Sequence, residues 1–89
     1  MTHFNITVSG KVQRVFYRQS TIEIAIKLGI KGFVKNEPDG NVYIEAEGTE
    51  QQLNKLVQWC RKGPPQAVVA DVKFSAGEIK NFSSFEITQ

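Results

Sequence analysis

Apolar and polar residues alternate with a period of two in some stretches of this chain and recur at helical spacing in others. Phe4, Ile6 and Val8 alternate with Asn5, Thr7 and Ser9, which predicts a strand over residues 4–9 with one buried face. Residues 18–28 read as a helix, with Thr21, Ile24, Ala25 and Leu28 at helical spacing and Gly29 as its C-terminal cap. Ile22 and Ile26 make this helix more apolar than one face requires. Lys31–Lys35 is a short strand. Glu37-Pro38-Asp39-Gly40 is a turn, because Pro38 presets its φ angle and Gly40 tolerates a positive one. Val42, Ile44 and Ala46 alternate with Tyr43, Glu45 and Glu47 to complete a β-hairpin. Thr49 with Gln52 forms a capping box, and Leu53, Leu56, Val57 and Cys60 follow at i, i+3, i+4 and i+7. Gly63-Pro64-Pro65 ends that helix. Val68, Ala70, Val72 and Phe74 alternate again, and Phe85 with Ile87 marks a short last strand.

The predicted order is strand, helix, strand, strand, helix, strand, with a short extra C-terminal strand. Both helices can lie on one face of a mainly antiparallel sheet, which is the ferredoxin-like α/β sandwich of the α+β class. The whole of residues 1–89 reads as a single domain. A chain of this size buries only about 60% of its unfolded surface, so every element must contribute to a small core. The architecture hosts enzymes, RNA binders and regulatory modules, so it does not decide function.

Composition narrows the choice. A net charge of +2 is too slight to argue for nucleic acid or a membrane, though it favours small anions over cations. No apolar run approaches the ~20 residues that span a bilayer, and the N-terminus carries no signal-peptide pattern. The single cysteine, Cys60, excludes an internal disulfide, and the cytoplasm is the expected compartment. Asn81-Phe82-Ser83 spells a glycosylation acceptor, read here as a chance match.

The chemistry concentrates in Gly10-Lys11-Val12-Gln13-Arg14-Val15-Phe16-Tyr17-Arg18, between the first strand and the first helix. A glycine-led loop feeding a helix start presents unpaired amides to an anion, and Arg18 adds a planar cation suited to phosphate oxygens. The positive end of the helix dipole disfavours an arginine there unless an anion lies between them. Other chemistries are poorly supplied. His3 is the only histidine and is expected at a frayed terminus, so Ser-His-Asp and Cys-His systems lack a base. Cys60 lies on an apolar helical stripe and reads as core. No residues stand at zinc-ligand spacing, and Asp39, Glu45 and Glu47 read as turn and solvent-face positions. Asn36, directly before the hairpin turn, has one donor and one acceptor and can orient a water.

Gly10-x-Val12-Gln13-x-Val15-x-Tyr17-Arg18 resembles the first signature of the acylphosphatase family. Gly32-Phe33-Val34-Lys35-Asn36-x-x-x-Gly40-x-Val42, continuing to Gly48, resembles its second. The likeness covers essentially the whole chain. It implies hydrolysis of acyl phosphates, with a carboxylate and inorganic phosphate as products and no metal or organic cofactor. By the same likeness, Gln13, Arg14, Val15, Phe16, Tyr17 and Arg18 form the phosphate-binding loop, and Arg18 and Asn36 are catalytic. Arg18 binds phosphate and Asn36 positions the attacking water. The family pattern usually has glycine where this chain has Arg14, which either adopts an allowed conformation, stores strain, points outward or adds a second cation that tightens anion binding. A monomer without nucleic-acid or membrane partners is expected. Two alternatives stay open from the residues alone. One is an RNA-binding sheet, suggested by Lys31-Gly32-Phe33-Val34-Lys35 but opposed by Glu45 and Glu47 on the third strand. The other is a regulatory module that holds a small anion in the same loop without turnover.

Overall fold

The computed structural model describes residues 1–88. The elements are β1 (Thr2–Lys11), α1 (Tyr17–Leu28), β2 (Lys31–Asn36), β3 (Val42–Gly48), α2 (Glu50–Lys62), β4 (Val68–Ala76) and β5 (Phe85–Ile87). The sheet runs β4-β1-β3-β2-β5, antiparallel throughout except where β5 joins β2 in parallel. Both helices pack on this sheet, giving the ferredoxin-like arrangement that the element order predicts. Among the described residues, no helix is long and apolar enough to cross a membrane.

The core lies between helices and sheet. Phe4, Ile6 and Val8 stand in register with Ala46, Ile44 and Val42, and all six are buried. Val34 extends this layer on β2, and Val72 extends it on β4. From above, α1 contributes Tyr17, Thr21 and Ala25, and α2 contributes Leu53, Leu56, Val57 and Cys60. Each fully buried aliphatic side chain here stabilises the fold by about 1.5–3 kcal/mol relative to exposure. The local signals match their sites. Thr49 and Gln52 form the capping box, with Oγ1 accepting from the Gln52 amide at 3.1 Å and Oε1 accepting from the Thr49 amide at 2.8 Å. Gly40 closes the hairpin turn by donating to the Glu37 carbonyl at 3.1 Å.

The alternation read in β4 fails at its first half. Val72 is buried, but Val68 is 65% exposed, and Val69 packs against the core in its place. A β-bulge is the cause. Ser9 pairs Asp71 while Gly10 pairs Val69, so Ala70 is the extra residue and the side-chain faces invert beyond it. Gly10 permits this crossing. Its φ is 116°, and a methyl group built there would lie 2.3 Å from the Val68 carbonyl oxygen.

The other face of the sheet departs from expectation as well. His3 is not frayed: it pairs with Glu47 inside β1 and is 1% exposed. Glu45 and Glu47 are not solvent-face residues, because the segment between β4 and β5 folds across them. Glu47 accepts from the Lys80 amide, from the Phe82 amide at 3.1 Å, and lies 2.8 Å from His3 Nδ1. Glu45 accepts from Lys80 Nζ at 2.8 Å and from the Tyr43 hydroxyl at 2.7 Å. Burial alone would push both carboxyls up. The hydrogen bonds from Lys80, Tyr43 and Phe82, together with His3, hold them below the ordinary carboxylate value. Phe82 closes the arrangement by stacking on His3 and meeting Phe33 edge-on.

Candidate active site

The loop between β1 and α1 is anchored by its valines. Val12 and Val15 are buried in the core, which leaves Arg14 and Phe16 facing outward. Both outward residues have φ of 63°, in the left-handed region. For non-glycine residues that costs on the order of 1–3 kcal/mol each, and it is held by the anchors on either side. Alternating left-handed and ordinary backbone turns successive N–H groups toward one point, the geometry of an anion-binding nest. Among the described residues, the amides of residues 14–18 donate to no protein acceptor; the first bond into the helix is Ser20 N–H to the Phe16 carbonyl at 3.0 Å. Phe16 occupies the N-cap position without a capping side chain, and the first turn of α1 has no acidic residue. The positive end of the helix is therefore left for an external anion.

The Tyr17 side chain fixes the helix start. Its hydroxyl donates to the Cys60 carbonyl at 2.8 Å, and its ring meets Trp59 at 5.3 Å. Burial pushes that hydroxyl far above its ordinary value, so it stays neutral. Gln13 also acts as a tether. Its Nε2 donates to the carbonyls of Glu37 and Asn41, joining the loop to the β2–β3 turn. Asn36 is the last residue of β2, directly before that turn.

A cavity of about 350 Å³ brings these parts together, its lining including Arg14, Phe16, Tyr17, Arg18, Asn36 and Ile87 of β5. Arg18 is half-buried and has no carboxylate within ion-pair distance among the described residues. Asn36 Oδ1 is buried and receives no hydrogen bond from any described protein group. An acceptor left so costs about 1–3 kcal/mol unless a small donor reaches it. Of the loop residues singled out in the sequence, Arg14, Phe16, Tyr17 and Arg18 line the cavity. Gln13 and Val15 support it from behind. Ile87 was read only as part of a strand. Its alternation with Phe85 signals burial, and nothing local reveals that β5 lies beside the loop.

Other groups are placed away from this chemistry. His3 stands at the far end of β1, roughly 25 Å of strand from the loop. Cys60 is buried, and burial pushes its thiol up to about 12, so it is protonated at neutral pH. A larger groove of about 780 Å³ between the helices, beside Trp59 and Pro64, contains neither Arg18 nor Asn36. Phe33 lies on the sheet face beneath the 77–84 segment, not in the core.

The sequence and the fold both have counterparts among known proteins. The acylphosphatase family model matches residues 4–87. An acylphosphatase of Archaeoglobus fulgidus is 48% identical over 98% of both chains. Among solved structures, an acylphosphatase from Bacillus subtilis superposes with a TM-score of 0.97 at 33% identity, covering all of both chains. One from Coxiella burnetii gives 0.95 at 38% identity, covering 98% of this chain and 92% of that one.

Proposed function

The chain belongs to the acylphosphatase family, and from that premise we propose that it hydrolyses acyl phosphates by holding the phosphoryl group in the 14–18 loop and a water on Asn36. It is a hydrolase acting on acid anhydrides, with an acyl phosphate as substrate and inorganic phosphate as product. The observation that carries the mechanism is the buried, unsatisfied Oδ1 of Asn36 in one cavity with Arg18. The amides of residues 14–18 and the Arg18 guanidinium take the phosphoryl oxygens, where negative charge is concentrated in the transition state. Asn36 Oδ1 accepts a hydrogen bond from the water and aims its oxygen at phosphorus. The new bond joins water oxygen to phosphorus, the bond from phosphorus to the acyl oxygen breaks, and its electron pair leaves on the carboxylate. The water's proton passes to a phosphoryl oxygen, which suits a site whose candidate bases lie elsewhere.

The RNA-binding alternative is weakened by the fold. The sheet face it would use is partly covered by residues 77–84, with Phe82 against Phe33. We read residues 1–89 as one acylphosphatase-like domain that works as a cytoplasmic monomer, engages neither nucleic acid nor membrane, and needs no metal or organic cofactor. The deciding experiment is hydrolysis of benzoyl phosphate with and without a chelator. Turnover that a chelator leaves unchanged is expected. Absence of turnover in protein with a native circular-dichroism spectrum would defeat the reading.

A further inference from the structure

We propose that Arg14 makes the site selective for acyl phosphates whose acyl group carries a second anion, a carboxylate or phosphate. The proposal rests on the phosphoryl site described above and deepens it.

Arg14 lines the cavity with Arg18 and Asn36. Its side chain is exposed and forms no ion pair or hydrogen bond among the described residues. Its backbone lies at φ 63°, where glycine would be unstrained. The residue thus worsens the local backbone and supports no neighbouring element, so packing does not account for it. Nor does the phosphoryl group require it, because Arg18 lines the same cavity and the unpaired amides of residues 14–18 can already take the phosphoryl oxygens. Val15 and Val12 are buried on either side and hold Arg14 at the outer rim of the loop. The cavity falls within the ~300–1,000 Å³ range of small-molecule sites, and Phe16 and Ile87 add apolar wall beside the phosphoryl position. An acyl group lying along that wall places a distal carboxylate within the field of a fork suited to planar anions.

The test uses two rigid substrates, benzoyl phosphate and 4-carboxybenzoyl phosphate, which differ by one distal carboxylate. The readout is the ratio of their kcat/KM values. In the unaltered protein the carboxylated substrate is expected to be favoured about fivefold at low salt, as befits an exposed charge pair, with the preference declining as salt rises. Arg14→Gly and Arg14→Gln should each bring the ratio near or below one. Benzylphosphonate and its 4-carboxy analogue report the same preference as binding affinities, without turnover. A ratio of one or less in the unaltered protein overturns the proposal. So does a ratio that both variants leave in place, or equal weakening of both substrates and of inorganic phosphate, which would put Arg14 on the phosphoryl group itself. If neither substrate is turned over yet both phosphonates bind with the expected preference, the catalytic reading fails and the anion selectivity stands.

Discussion

Gln13 Nε2 donates to the carbonyl of Asn41 at 2.9 Å and, with its second hydrogen, to that of Glu37 at 2.8 Å. One amide side chain thereby ties the anion-binding loop to the turn that begins just after Asn36. The two halves of the site come from separate elements, so their spacing depends on this tether. Gln13→Ala is expected to lower kcat by about ten- to a hundredfold, the penalty of an ångström-scale misplacement. Gln13→Glu should be worse, because it sets a carboxylate against two carbonyls. Steady-state kinetics beside thermal unfolding checks this; unchanged kcat in a folded variant would show that the tether is dispensable.

Arg18 and Asn36 should fail differently. Arg18→Ala removes a charged donor and should weaken inhibition by inorganic phosphate at least tenfold while activity falls. Asn36→Ala should lower kcat about a hundredfold, with phosphate inhibition changed less than about threefold. Loss of phosphate binding in the Asn36 variant would reverse this division of labour.

Glu47 joins β3 to the 77–84 segment through the Lys80 and Phe82 amides. Its carboxyl is held below the ordinary value of 4.5, so its stabilisation is present above that pH and is lost as pH falls through the lowered value. Glu45 is lowered too and acts in the same direction. Thermal unfolding followed from pH 7 to pH 2 should show stability falling below about pH 4.5. Glu47→Gln should lower stability at pH 7 by about 2 kcal/mol or more and flatten part of that acid loss. A variant with the parent's pH profile would place the acid sensitivity elsewhere.

Gly10 sits where β1 crosses the β4 bulge. A Cβ there would meet the Val68 carbonyl oxygen at 2.3 Å and the Ala70 amide nitrogen at 2.6 Å, on a backbone with φ of 116°. Gly10→Ala is expected to destabilise the fold by about 3 kcal/mol or more, with lower activity because this strand feeds the loop. Chemical denaturation measures the first effect; a variant as stable as the parent would mean that the bulge relocates at little cost.

The chemistry of the site was more legible than its walls. Arg18, Asn36 and the glycine-led loop announce themselves because phosphate recognition uses residue types in a short, ordered pattern. Strain at Arg14 was legible from the glycine usual at its place, whereas the left-handed backbone at Phe16 was not, since its side chain does not favour it and it follows from the burial of Val15 and Tyr17 on either side. Ile87 was hidden for another reason: a three-residue strand carries no record of which edge it joins.

What the sequence determined by itself is the set of elements and the loop that carries the chemistry. Periodicity, capping at Thr49, the turn at Gly40 and the unpaired amides ahead of α1 are local, arising among residues a few positions apart. Tertiary structure alone decided which polar residues are covered and which apolar ones are not. His3, Glu45 and Glu47 are buried because a segment more than thirty residues further along folds over the latter two and satisfies their oxygens. Val68 is exposed because a bulge against Gly10 reverses its face. Both outcomes depend on the register between distant segments, which no short stretch of the chain encodes.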